Sequence, residues 1–185
     1  MICGFGRTGR AFAAQSFGVT PDLITMAKGL TNGAQPMGAV AVSERIHDAI
    51  FGAAQEGAIE FFHGYTYSAH PAACAAGLAT LDIYKKESLF ERGAEMSPYF
   101  LEGLWSLRDL PAVADLRGYG MFGAIDLHPA GGPGARGHRF QKQLFDNGLH
   151  LKTTGDAAIV APPLIAERQH IDQIVDILRK TLATV

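Results

Sequence analysis

Cysteine is scarce: Cys3 and Cys74 are the two in 185 residues. Two cysteines make no disulfide framework, so free thiols in a reducing cytosol, and a cytoplasmic protein, are expected. Long apolar runs are missing too. No stretch reaches the ~18 residues a membrane-spanning helix needs, and the first residues lack a charged region followed by a long apolar one. Excess charge of either sign is absent, since 16 Lys and Arg face 18 Asp and Glu for a net charge of −2. Neither a nucleic-acid footprint nor a charged tail is therefore expected, and no membrane partner. The seven histidines do not fall at zinc-ligand spacing, so no metal is expected. What is present is core material. With 48% hydrophobic and 18% charged residues the chain can bury a sizeable core, and its length suits one domain or one and a half.

The stretch Ile24-Thr25-Met26-Ala27-Lys28-Gly29-Leu30-Thr31-Asn32-Gly33 is where chemistry concentrates. Residues 23–26 are apolar and partly β-branched after Pro21-Asp22, which predicts a buried strand. Lys28 lies just past its end, and Gly29 and Gly33 leave room and let the backbone turn. Desolvation lowers the pKa of an amine, and a neutral amine forms a Schiff base with a carbonyl. Taken alone, Lys28 also reads as a solvated lysine in a turn, where most lysines are found.

Gly4-Phe5-Gly6-Arg7-Thr8-Gly9 matches G-x-G-x-x-G. As the phosphate loop of an NAD-binding dehydrogenase it would need a preceding strand, a following helix and an acidic residue about 20 positions on. Residues 11–17 predict a short helix, but Asp22 comes after Pro21 in a turn, so the loop reads as a tight glycine turn. Residues 38–42 predict a second interior strand, with Ser43 as N-cap of a helix reaching about Phe51. Pro71 suits the first turn of a helix that runs through the small residues around Gly77 and closes at 85–88. A further helix over 89–107 carries Pro98, which predicts a kink or a division. Residues 113–118 and 121–127 predict two strands joined through Gly118-Tyr119-Gly120. A loop over 129–137, a helix over 139–147 closed by Gly148, strands at 149–152 and 157–161, and a last helix over 167–182 complete the pattern. On that last helix Ile171, Ile174, Val175, Leu178 and Leu182 share one face. The alternation predicts an α+β C-terminal domain beginning between Ser88 and Pro111.

Ile2-Cys3-Gly4-Phe5-Gly6-Arg7-Thr8-Gly9, Phe17-Gly18-Val19-Thr20-Pro21-Asp22 and Ala27-Lys28-Gly29 together resemble the middle of a class III aminotransferase, a pyridoxal-phosphate enzyme of fold type I. His63-Gly64-Tyr65-Thr66-Tyr67-Ser68-Ala69-His70-Pro71 is similar to the omega-amino acid–pyruvate branch, also called β-alanine–pyruvate aminotransferase. The resemblance runs from Ile2 to the C-terminus.

That resemblance implies an α/β fold, the C-terminal half of a fold type I PLP-transferase. Residues 1–88 would be the C-terminal part of the large PLP-binding domain, and residues 89–185 the α+β small domain. It also implies that a strand bearing an Asp-Glu pair and the cofactor's phosphate loop stand before Met1, so the chain alone would be inactive as a transaminase. Lys28 would hold pyridoxal 5′-phosphate and move the proton between substrate and cofactor carbons. Thr66 would bind the cofactor phosphate across the seam of a homodimer with shared active sites, with Tyr65 beside it in the cofactor set and Tyr67 packing nearby. The substrates implied are an omega-amino acid or amine, such as β-alanine, and an α-keto acid such as pyruvate. Ile2 stands where other branches place a glutamine, which favours the pyruvate-type branch. Lys152 stands where an arginine usually takes the substrate carboxylate; it keeps the charge and loses bidentate geometry. From the residues alone, Thr66 is equally a hydroxyl satisfied in a loop, Lys152 a plain exposed lysine, and His63 and His70 structural. A non-catalytic remnant of the fold is the second reading of the whole chain, and an NAD-binding dehydrogenase the third.

Overall fold

The computed structural model describes residues 2–185. It contains two compact units, Met1–Phe5 with Phe12–Ser88 and Gly6–Ala11 with Leu89–Val185. In the first, the one-turn helix α1 (Ala13–Ser16) precedes strands β1 (Leu23–Met26) and β2 (Ala39–Val42), which pair antiparallel from Leu23↔Val42 to Met26↔Ala39. The strands stand where the apolar runs predict them, but they are not interior. Leu23, Val40 and Val42 are all exposed, and Ile24, Met26 and Ala39 are only half-buried, so among the described residues the two-stranded ribbon has no fully covered face.

Helix α2 (Glu44–Gly52) comes next. Ser43 occupies the N-cap position without capping; its hydroxyl turns to Asp22 Oδ1 at 3.4 Å, which also takes Arg45 Nη2 at 2.9 Å. Helix α3 (Pro71–Lys86) starts on Pro71 as expected. Its buried positions are Ala73, Gly77 and Thr80, one face at helical spacing. That face meets the segment after β1, where a Cβ on Gly77 would lie 3.7 Å from the Leu30 carbonyl oxygen.

The second unit holds helix α4 (Leu89–Trp105), strands β3 (Val113–Tyr119) and β4 (Phe122–Leu127), helix α5 (Ala135–Asp146), strands β5 (Lys152–Thr154) and β6 (Ala157–Val160), and helix α6 (Arg168–Leu182). Pro98 does not divide α4, which is continuous. The carbonyl that loses a partner is that of Ala94, an exposed residue, so the lost bond falls on the solvent side. The sheet is antiparallel in the order β3-β4-β6-β5. On β4 the buried residues are Gly123, Ile125 and Leu127, strict alternation, and the helices cover that face. Phe100 and Leu104 of α4, Phe140 and Leu144 of α5, and Ile171 and Leu178 of α6 are each at most 1% exposed. Helices α4 and α6 approach at Gly103, whose missing Cβ would sit 3.0 Å from Val175 Cγ2. Beside that contact the Tyr99 hydroxyl donates to Asp172 at 2.5 Å, and this bond first of all holds the phenol's pKa above its ordinary value.

Helix α5 begins at Ala135, inside the stretch expected to be loop. Asp156, from the β5–β6 turn, accepts the Gly134 and Gly137 N–H groups at 3.2 and 2.8 Å and so caps the helix from about twenty residues away. The other end closes as the sequence indicates. Gly148 is left-handed (φ 88°), Leu149 N–H reaches the Leu144 carbonyl at 2.8 Å and Gly148 N–H the Phe145 carbonyl at 3.0 Å. Among the described residues no helix is long and apolar enough to cross a membrane.

The remote cap is measurable. Asp156→Ala should lower unfolding stability by about 1 kcal/mol, the usual worth of an N-cap carboxylate, in urea titrations. A wild-type midpoint in the variant would show that the two N–H groups are as well served by water.

Candidate active site

Lys28 is the first residue of a single 3-10 turn, Lys28–Leu30, directly after β1. Ala27 is fully extended (φ −165°, ψ −164°), and Lys28 then enters the left-handed region at φ 53°. That conformation costs a residue with a Cβ roughly 1–2 kcal/mol, so something must hold it. Leu30 and Thr31 anchor the far side of the turn; both are buried, and Thr31 Oγ1 donates to the Gln35 carbonyl at 2.6 Å. Asn32 (φ 50°) and Gly33 (φ 79°) then reverse the chain toward β2. Lys28 itself is exposed, where the buried-strand expectation places it at the end of an interior strand.

Gly29 explains the choice of glycine at the next position. A Cβ there would lie 2.8 Å from Phe5 Cβ and Cδ2. On the same peptide the Tyr84 hydroxyl donates to the Gly29 carbonyl at 2.8 Å, and the Phe5 and Tyr84 rings stack with centroids 5.9 Å apart. Sequence reasoning missed both aromatic residues. Tyr84 lies 55 positions downstream in a helix of small residues, and Phe5 is hidden in a glycine motif that suggests another use.

Thr66 opens a turn over residues 66–69 in which Ser68 N–H donates to the Tyr65 carbonyl at 3.0 Å. Thr66 and Tyr65 are exposed and face a cleft of about 1560 Å³, together with Met26, Ala27, His63 and Cys74. The fold thus brings Thr66, Tyr65 and the end of β1 to one cleft, while Lys28 is not part of its wall. His63 lies between Phe61 (5.5 Å) and Tyr65 (4.4 Å, edge-on), an aromatic run rather than a proton-relay arrangement. His70 is the residue before helix α3. Lys152 belongs to the second unit, exposed at the start of edge strand β5, opposite Ile159. Among the described residues no group of three His, Cys, Asp or Glu side chains is placed to hold a metal ion.

The Gly4–Gly9 loop is a packing device. A Cβ on Gly6 (φ 90°) would fall 2.6 Å from Leu164 Cδ1 and 2.8 Å from Phe90 Cδ1, and one on Gly9 2.9 Å from Ala94 Cβ. Arg7 donates to the carbonyls of Met121, at 3.1 Å, and Pro162. The loop leads into the four-residue α1, which is too short to offer a pyrophosphate the end of a helix dipole. The dinucleotide reading is therefore set aside.

The family description "Aminotransferase class-III" matches residues 1–182. The chain belongs to this family. It is 51% identical to an omega-aminotransferase of Caulobacter vibrioides over all of this chain and 42% of that protein. It is 43% identical to a β-alanine–pyruvate aminotransferase of Pseudomonas aeruginosa over 98% of this chain and 41% of that protein. A thermostable (S)-enantioselective omega-transaminase from Thermomicrobium roseum shares the fold at a TM-score of 0.90 and 35% identity, over 99% of this chain and 42% of that one. The chain thus spans about two fifths of the length of the relatives it matches.

Proposed function

We propose that this chain is part of a pyridoxal-phosphate-dependent transaminase that moves an amino group from an omega-amino acid or amine, such as β-alanine, to an α-keto acid such as pyruvate. The observation that carries this reading is Lys28, a primary amine leaving the end of a strand in a turn that a buried seat holds fixed. Pyridoxal phosphate, when bound, supplies an aldehyde carbon for amines and a conjugated ring that accepts electron density. The donor set suits it: an amine for the aldehyde, and in Thr66 an exposed turn hydroxyl for the phosphate. In this reading Lys28 Nζ would hold the cofactor and, as a free amine, would accept and return a proton at Nζ. Residues 1–88 serve as part of the cofactor-binding domain and residues 89–185 as the small domain.

The test uses the full-length protein. Borohydride reduction in the presence of pyridoxal phosphate, with peptide mapping of the product, should place the pyridoxyl label on Lys28, and Lys28→Ala should abolish both label and turnover. A label on another lysine, or none, removes the assignment and favours a non-catalytic remnant.

Lys152 is proposed to pair with the carboxylate of the keto acid. Removing one charge-assisted contact at an exposed site should raise the KM for pyruvate roughly tenfold in Lys152→Ala, with little change for an uncharged aldehyde acceptor. Equal effects on both acceptors would leave Lys152 a plain surface lysine.

Thr66 is proposed to act across a dimer seam, with Tyr65 beside it. The exposed aromatic run supports this, since Phe62 is 90% and Tyr67 86% exposed in the single chain, an uncovered patch of the kind interfaces bury. In a twofold dimer each Thr66 would serve the other subunit's Lys28. Mixing Lys28→Ala and Thr66→Ala full-length subunits should then restore activity, toward about half per mixed dimer for independent sites, because one site carries both lesions and the other neither. No recovery after subunit exchange would confine Thr66 to its own chain.

A further inference from the structure

The turn that presents Lys28 is not held by its own hydrogen bonds. Leu30 N–H to the Ala27 carbonyl and Thr31 N–H to the Lys28 carbonyl are both 3.3 Å, at the long end for such bonds. Neither explains why a residue with a side chain rests at φ 53°. The Gly29 peptide, by contrast, is gripped from outside the turn. The Phe5 ring fills the space where a Gly29 side chain would stand, and the Tyr84 hydroxyl donates to the Gly29 carbonyl at 2.8 Å. The two rings stack on each other at 23°, so neither moves alone. The bond fixes the Gly29–Leu30 peptide and the Phe5 ring packs against Gly29 itself, so the residue that follows Lys28 is held and the directions in which the Lys28 Cα–Cβ bond can leave the chain are narrowed.

We propose that Tyr84, backed by Phe5, is a positioning residue for Lys28: its hydroxyl locks the Gly29 peptide and thereby aims Nζ. The inference rests on the reading of Lys28 as the cofactor lysine. Tyr84 needs no contact with cofactor or substrate for this role; it acts through the Gly29 carbonyl.

The variant that tests this is Tyr84→Phe in the full-length protein, which keeps the stacked ring and deletes the hydroxyl. Asp82→Ala, two residues earlier on α3, is the control: it removes the acceptor of the Lys86 Nζ bond, 3.5 Å, on the exposed side of the helix, without touching the Gly29 carbonyl. In the cofactor-free protein, amide hydrogen exchange at Leu30 and Thr31 should rise about tenfold in Tyr84→Phe and stay at the wild-type rate in Asp82→Ala. In the loaded enzyme kcat should fall on the order of tenfold in Tyr84→Phe with KM changed less than about twofold, the signature of a misaimed group rather than lost substrate binding. If both variants behave alike in exchange and in kcat, the proposal fails. If exchange rises while kcat holds, Tyr84 is structural only and the positioning role also fails. Borohydride mapping on the wild type runs beside these measurements. A label away from Lys28 overturns the parent reading, whereas a label on Lys28 with an unchanged Tyr84→Phe overturns this inference alone.

Discussion

Tyr84 reaches 2.8 Å to the Gly29 carbonyl, and the same turn carries or meets the buried Phe5, Leu30, Thr31 and Gly77. Magnitudes show why this cluster governs the unit. The left-handed Lys28 costs roughly 1–2 kcal/mol, while burying Phe5 and Leu30 returns roughly 1.5–3 kcal/mol each, an upper estimate. The seat therefore outweighs the strain it imposes. The ribbon of β1 and β2 inherits its place from the same seat, since residues 27–38 join its two strands and neither strand has a fully buried face of its own.

The second unit works differently. Its antiparallel sheet carries its own helical cover, and its core of Phe100, Leu104, Ile125, Phe140 and Leu178 is closed to solvent. Of the exposed large hydrophobic side chains among the described residues, Tyr119, Phe145 and Ile165 lie in this unit and the others in the first. That contrast accords with the division of labour proposed here. In that proposal the first unit would leave apolar surface for a second subunit, whereas the second unit finishes its own core.

Much was legible along the chain because the signals are local. Two runs joined through Gly118-Tyr119-Gly120 marked β3 and β4, Gly148 marked the end of α5, Pro71 the start of α3, and the apolar stripe of α6 its buried face. The position of Lys28 just past a strand, and the order Ala27-Lys28-Gly29 within longer matching runs, pointed to the family to which residues 1–182 belong. The expectations that failed depend on what lies beside a segment in space. Whether β1 is interior turns on a cover that no window of sequence contains. Whether α5 begins at 135 or 139 turns on a carboxylate from residue 156. Whether Ser43 caps α2 turns on a competing aspartate at residue 22.

Composition, hydrophobic period and glycine placement, which act through the dihedrals and faces of neighbouring residues, determined by themselves most of the kinds of elements in this chain and their order, while Lys28 became the lysine worth suspecting through the resemblance of the runs around it. The tertiary structure alone decided that the Gly4–Gly9 loop packs against Leu164 and Ala94 rather than cradling a phosphate, and that Phe5 and Tyr84 close on Gly29, the residue after Lys28. The reason is physical: a stacked ring pair and a hydroxyl-to-carbonyl bond join residues 79 and 55 positions apart, and nothing local in the sequence encodes a contact that exists only once α3 has docked on the turn.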